Sequence, residues 1–238
     1  SFYLEPNGHQ QPQFKPGQFL TLKANIDGQE HIRTYTVSSA PSDEQLRISV
    51  KRDGLFSNFI HNNLKVGGNI DCKAPCGAFT FDASVKRPAV LISGGVGITP
   101  MVSMARHALV EGIRTRYTRP LTIISAARNI EQRAFFDELN HIAAQSKDKI
   151  RTYWALSEVA SGLKPGKDFN HSGRIDADLL QGVLALDDYD FYLCGPSGFM
   201  QHIYDLLRSL GVSDARIDAE AFGPASLQRD EDHATSEF

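Results

Sequence analysis

The sequence predicts two domains in series: an antiparallel β-barrel, then an α/β domain built on a parallel sheet. Three observations lead there. The first third carries short strand patterns with one helix among them, punctuated by Pro16-Gly17, Pro41, Gly67-Gly68 and Pro75. Beyond Val85-Lys86-Arg87-Pro88 strand and helix patterns alternate, and the strands are apolar on both faces. The 238 residues also exceed one average domain of about 150. The expected units are residues 1–84, residues 87–225 and a polar tail or linker over 226–238.

Each element has its own warrant. Phe2 and Leu4 alternate, so the chain opens in a strand. Phe19–Leu22, Thr34–Val37 and Ile70–Lys73 are short strand patterns, and Leu46, Ile48 and Val50 alternate with polar residues. Between them Phe56, Phe59, Ile60 and Leu64 have helical spacing over 57–64. In the second unit Ala89–Ser93, Leu121–Ala126, Thr152–Leu156 and Asp190–Cys194 read as buried strands, and Arg216–Glu220 as a short last one. Helices are expected from Pro100 to about Glu111, from near Ile130, and around Phe199, Ile203 and Leu207 until Gly211 stops the last.

Composition excludes several classes. Net charge is −3, so no basic excess favours nucleic acid. No apolar run approaches the ~20 residues of a membrane helix, and no signal peptide opens the chain. Three cysteines (Cys72, Cys76, Cys194) argue against a disulfide scaffold and fall short of the four ligands of a plant-type iron–sulfur cluster. The eight histidines are scattered. We expect a reduced, cytoplasmic compartment and no bound metal.

The chemistry-bearing residues sit at junctions. Gly95-Val96-Gly97-Ile98-Thr99-Pro100 follows a buried strand and opens a helix, with Gly97 free to approach a pyrophosphate, Thr99 as N-cap and Pro100 as first helical residue. The same residues also suit a plain tight turn. Cys194-Gly195-Pro196 is a second strand-to-helix junction on the same sheet edge, where ligands bind. In the first unit Arg33 and Tyr35 share a strand face, a pattern that clamps a phosphate and stacks a planar ring, while Thr36 looks the other way. Gly54-Leu55-Phe56-Ser57 opens the inserted helix, with Ser57 as N-cap. Together they suit a nucleotide with a planar ring system.

In this order the motifs resemble the ferredoxin–NADP reductase superfamily, in the branch of flavohaemoglobin reductase modules and oxygenase reductases. Arg-x-Tyr-Ser/Thr-x-x-Ser matches at Arg33, Tyr35, Thr36 and Ser39; Gly-x-x-Ser at Gly54 and Ser57; Gly-Gly-x-Gly-x-x-Pro from Gly94 to Pro100. Cys-Gly-Pro matches at Cys194, Gly195 and Pro196, and Glu220-Ala221-Phe222-Gly223-Pro224 resembles the family's closing segment. Ser57–Asn62 and Ala74–Phe79 are similar to flavohaemoglobins in particular.

The resemblance implies that the barrel binds FAD and the second domain NADH or NADPH. Arg33 would meet flavin phosphate, Tyr35 stack on the isoalloxazine, and Thr36 sit near flavin N5. Ser39 and the Gly54–Ser57 motif point to FAD over FMN. Gly95, Gly97, Thr99, Pro100, Gly195 and Pro196 would line the dinucleotide, Cys194 sit near the nicotinamide, and Glu220 and Phe222 lie beside the flavin's other face. Of these, Thr36, Cys194 and Glu220 would touch the reacting atoms. Arg128, Arg133 and Arg174 are candidates for a 2′-phosphate or adenosine phosphate, yet NADH is the expected preference. The electron acceptor would be a ferredoxin-type iron–sulfur or globin domain, in the same longer polypeptide of which this chain reads as a module. The competing reading is an electron-transfer or regulatory subunit with no turnover of its own.

Overall fold

The computed structural model describes residues 1–8, 10–222 and 226–230. Gly223, Pro224 and the tail beyond Asp230 lie outside the described residues.

The first unit forms around β1 (Phe2–Leu4), β2 (Phe19–Ile26), β3 (Gln29–Thr36), β4 (Leu46–Ile48), α1 (Leu55–Asn63) and β5 (Asp71–Cys76). The strands make an antiparallel sheet ordered β3-β2-β5 and a β1-β4 ribbon, linked by a bridge from Val37 to Ile48. Leu20, Leu22, Val37, Leu46, Ile48, Phe56 and Ile60 fill their shared core. β2 and β3 run longer than expected because Asp27-Gly28 closes a two-residue hairpin. Both residues have positive φ (53° and 80°), which this kind of turn requires. β5 extends through Pro75, on the edge of its sheet. There a bulge sets the three-residue step from Lys73 to Cys76 against the two-residue step from Thr21 to Phe19, and a missing N–H is tolerated.

The second unit contains β6 (Ala89–Gly94), α2 (Ile98–Thr115), β7 (Leu121–Ala127), α3 (Phe136–Gln145), β8 (Ile150–Leu156), β9 (His171–Ser172), α4 (Ala177–Val183), β10 (Asp190–Pro196), α5 (Ser197–Ser209) and β11 (Ile217–Phe222). The parallel sheet is ordered β11-β10-β6-β7-β8-β9. Alternate strand residues serve opposite faces: Leu91 and Ile123 pack with Met101, Met104 and Leu139, while Val90, Ile92 and Ile124 pack with Leu179, Ile203 and Leu207. The chain steps outward from β6 to β9, then returns to lay β10 on the other side of β6. The crevice between β6 and β10 is therefore a topological switch point.

Several expectations need correction. The helix expected from near Ile130 starts at Phe136. Ile130–Gln132 is instead a separate 3₁₀ turn, capped by the Asn129 side chain. β9 and α4 had no counterpart in the sequence reading, although Asp176 is a proper N-cap accepting from Leu179 N at 2.9 Å. Part of the segment expected to be a polar tail is docked. Leu227 packs on the α5 side of the sheet, and Asp230 N donates to the Tyr204 hydroxyl at 2.9 Å.

The link between the units is anchored through alternate buried residues. Phe79, Phe81 and Ala83 join the core beneath α2, and both phenyl rings meet Tyr192 edge-on at 5.9 and 5.6 Å. Arg119, fully buried, donates to Asp82 O and Arg87 O at 2.8 Å each and pairs with Asp190 at 2.5 Å. Its three partners come from both ends of the linker and from the sheet.

Candidate cofactor crevice

On the first-unit side, β3 carries the expected motif. Arg33 is exposed, with Nη1 on Ile32 O at 2.7 Å. Tyr35 is half-buried and stacked on Phe56 (centroids 6.1 Å apart, planes at 28°); burial pushes its phenol up, partly countered by the Arg33 charge. Thr36 is 4% exposed, and its Oγ1 is buried with no hydrogen-bond partner among the described residues. Such a group costs about 1–3 kcal/mol unless something satisfies it. Gly54 has φ 93°, with nothing within 4 Å of where a Cβ would stand, and no side chain caps α1 behind it. Ser57 is not the expected N-cap. It lies inside the first turn, accepts from Asp53 N at 2.7 Å and donates to Gly54 O at 3.1 Å, fixing the loop at the helix entrance. Ser39 is engaged elsewhere: its Oγ accepts from Arg47 N at 3.0 Å and its carbonyl from Ser103 Oγ on α2 at 2.6 Å.

On the second-unit side the duty expected of Gly97 falls to Gly95 alone. A Cβ on Gly97 would stand 2.0 Å from Cys194 O, so Gly97 lets α2 abut the end of β10 rather than letting a pyrophosphate approach. Gly95, at φ 55° with open space around its Cβ position, is the residue that leaves room for a ligand. Thr99 is not the N-cap either, because α2 starts at Ile98; its Oγ1 donates to Val96 O at 3.0 Å. Pro100 lies in the same first turn, where a missing N–H costs nothing. At the neighbouring junction β10 runs through Gly195 to Pro196, which occupies the N-cap position of α5. A Cβ on Gly195 would press on Phe199 at 2.9 Å.

The floor of the crevice comes from β10 and β11, where Cys194 is registered with Glu220 and Pro196 with Phe222. Cys194 is fully buried, and burial followed by the Glu220 charge pushes its thiol well up, so it is a neutral apolar group rather than a nucleophile. Burial raises Glu220 to about 7, and its Oε2 is buried without a partner among the described residues. The folded state thus holds this proton more tightly than the unfolded chain. The sign follows: Glu220 costs nothing below its ordinary 4.5, destabilises progressively as pH rises from 4.5 to 7, and costs a constant amount above that. Glu220→Gln is expected to gain on the parent chain across that window, by about 1–2 kcal/mol once partial solvent screening is allowed for. Urea unfolding of both proteins at pH 4.5 and above pH 7 measures the difference; a constant offset would contradict it.

These features fit a flavin and a dinucleotide. Thr36 offers an orphan hydroxyl next in sequence to a half-buried aromatic residue; α1 offers an uncapped N-terminus behind an open glycine; Gly95 lies at the switch point, and Glu220 is registered with Cys194 on the neighbouring strand. Among the described residues no three His, Cys, Asp or Glu side chains come together as metal ligands, and no helix is long and apolar enough to cross a membrane. Sequence reasoning missed one acidic residue on the binding edge. Glu158, just past β8, pairs with Arg128 Nε, just past β7, at 2.7 Å. Only the parallel register of β7 and β8 brings the two together.

Comparison with known proteins agrees with this geometry. The family described as oxidoreductase FAD-binding domain matches residues 2–81, and the oxidoreductase NAD-binding domain matches residues 91–205. A flavohemoprotein of Bordetella pertussis is 38% identical over 238 residues, covering 95% of this chain and 58% of that protein. One of Bacillus subtilis is 36% identical over 227 residues, and there the chain spans 55% of the relative's length. Among solved structures, the flavohem-like FAD/NAD-binding domain of a nitric oxide dioxygenase from Vibrio cholerae superposes with a TM-score of 0.77 at 32% identity, covering 90% of this chain and 88% of that one. A flavohemoglobin from Malassezia yamatoensis, solved with FAD and heme, gives 0.71 at 26% identity, over 90% of this chain and 53% of that one. An FAD-binding domain followed by an NAD-binding domain, with this crevice between the junctions, makes the chain a member of the two-domain FAD/NAD-binding oxidoreductase family that includes the flavohem-like reductase modules.

Proposed function

We propose that this reductase unit takes a hydride from NADH and passes the electrons singly to a haem-bearing globin domain. The unpartnered buried hydroxyl of Thr36, on the strand that carries Arg33 and Tyr35, is the observation that carries the flavin half of this reading. Bound FAD supplies an acceptor that takes two electrons at once and releases them one at a time. Arg33 binds its phosphate, the Tyr35 ring stacks on its planar system, and Thr36 Oγ1 hydrogen-bonds at the ring edge near N5. Gly54 and Ser57 shape the helix entrance that holds the pyrophosphate, while Ser39 fixes the strand end. Gly95 forms one wall for the dinucleotide, with Gly97, Thr99 and Pro100 seating the start of α2 behind it, and Gly195 and Pro196 form the other. Cys194 excludes water beneath the nicotinamide, Phe222 covers the flavin's other face, and Glu220 holds or releases a proton at neutral pH. We read residues 1–84 as the FAD unit and 87–225 as the NAD unit.

The globin acceptor is favoured over an iron–sulfur domain by 36–38% identity to flavohemoproteins of which the chain spans 55–58%. NADH is favoured over NADPH by the arginines. Arg128 is neutralised by Glu158, whose carboxylate would repel a 2′-phosphate. Arg133 is engaged elsewhere, donating to Asp168 O at 2.6 Å and lying over the Phe136 ring at 3.7 Å. FAD-loaded protein is expected to bleach anaerobically with NADH and to favour it over NADPH by about tenfold or more in kcat/KM. Glu158→Gln should narrow that ratio. Protein that takes up no FAD, or that prefers NADPH, would overturn the corresponding half.

A further inference from the structure

Four charged side chains cross the seam between the two units. Arg47 on β4 grips Glu138, in the first turn of α3, with two bonds: Nη1 to Oε2 at 2.8 Å and Nη2 to Oε1 at 2.9 Å. Arg106 on α2 reaches the same carboxylate through Nη1 at 3.2 Å and holds Asp43 of the first unit with Nε and Nη2 at 2.9–3.1 Å. The chain Asp43–Arg106–Glu138–Arg47 therefore crosses the seam twice. Its members are enclosed, from 8% side-chain exposure at Arg47 to 33% at Arg106.

Two further observations tie this chain to the crevice. Arg47 also donates to Ser38 O at 2.6 Å and to Ser38 Oγ at 3.2 Å, two residues beyond Thr36. Ser103, one turn before Arg106 on α2, donates to Ser39 O, so the helix that starts at Ile98 is held against the segment just past the strand that carries Thr36. The second observation is strain. Phe135 precedes α3 at φ 61°, a left-handed conformation unfavourable for a bulky residue, and its ring lies 5.1 Å from the Arg47 guanidinium. Backbone cost has been accepted where it completes the enclosure of this pair.

Enclosed ion pairs add little net stability over apolar packing of the same shape, but they permit fewer arrangements. A bidentate arginine–carboxylate pair fixes both distance and plane. We propose that Asp43, Arg106, Glu138 and Arg47 are positioning residues that set one seating of the NAD unit on the FAD unit, aligning the Gly95–Cys194–Glu220 side of the crevice with Tyr35 and Thr36 for hydride transfer. The proposal rests on the hydride-transfer reading above. A misalignment of about 1 Å between reacting groups is enough to slow a reaction on the order of 100-fold.

The test uses the full chain loaded with FAD. Stopped-flow reduction by saturating NADH is followed at the flavin band and at the long-wavelength charge-transfer band that reports nicotinamide–flavin stacking. Glu138→Gln is expected to lower the limiting reduction rate about tenfold or more and to weaken the charge-transfer band, with FAD occupancy and NADH half-saturation nearly unchanged. Arg106→Gln leaves the Arg47–Glu138 pair in place and should show the same pattern more mildly. The double variant should be no slower than Glu138→Gln alone, because the chain acts as a unit. If Glu138→Gln does not fold, Arg106→Gln carries the test alone. Reduction rates within twofold of the parent, or losses that merely follow FAD occupancy, would overturn the positioning role. A parent protein that NADH does not reduce would overturn the functional reading instead.

Discussion

Gly97→Ala should destabilise the protein by about 2–4 kcal/mol and cripple NADH oxidation, whereas Gly95→Ala, two residues earlier, should leave the melting temperature within a few degrees of the parent. Gly97 has ordinary right-handed dihedrals, φ −61° and ψ −7°, so alanine meets no conformational objection there. The obstacle is a contact: the new methyl would stand 2.0 Å from Cys194 O and 2.4 Å from its carbonyl carbon. Both belong to the backbone of a central strand hydrogen-bonded on each side, between β6 and β11, so neither side of the contact yields cheaply. The alternative is to push α2 away from β10, which moves one wall of the crevice relative to the other. Gly95 poses the opposite case, with a positive φ and open space. Alanine there costs about 1 kcal/mol of backbone strain and places a methyl where the dinucleotide would lie, so KM for NADH should rise while the fold survives. Thermal melts with steady-state NADH kinetics on both variants separate the two. Equal melting temperatures would show that α2 and β10 do not depend on this contact.

The contrast between these glycines marks how far the sequence could be read. The Gly-rich turn, the strand before it and the helix after it follow from local pattern alone, and so does the two-unit order. Which glycine faces the ligand does not, because that depends on where β10 ends, some hundred residues later. Thr99 and Ser57 failed as N-caps for a related reason: each lies inside its helix, and its hydroxyl donates to a backbone carbonyl three residues back, at the helix entrance. Asp27-Gly28 is a local hairpin signal that extends β2 and β3 beyond their apolar alternation. β9 and α4 fall in a stretch of weak apolar periodicity, where Asp176 was the available local signal. Cys194 and Glu220 were placed by motif. That they lie side by side, one neutral thiol and one carboxyl raised to about 7, required the register of β10 on β11. The seam ion chain was invisible for the deepest reason: Asp43, Arg47, Arg106 and Glu138 come from one loop and three elements of two units, and nothing in the local spacing of any one of them marks a partner.

Thr36→Val should slow flavin reduction by NADH about 10- to 100-fold while leaving the FAD-free protein as stable as the parent or slightly more so. The two halves follow from one observation. Thr36 Oγ1 is buried and unpartnered among the described residues, so the protein bears its desolvation without a compensating bond. Valine keeps the β-branched shape that β3 favours and replaces the hydroxyl by a methyl, removing that penalty at little steric cost. On the proposed reading the balance would reverse with FAD in place, because the hydroxyl would then have a partner at the ring edge and its loss would leave that edge short of one hydrogen bond. Replacing an ordinary core threonine would move neither the reduction rate nor the flavin spectrum. Urea unfolding of the FAD-free proteins, the absorbance of the loaded ones, and anaerobic stopped-flow reduction together decide the matter. A valine variant that is less stable without FAD, yet reduced at the parental rate, would mean that Thr36 serves the barrel core and that the flavin edge meets a different residue.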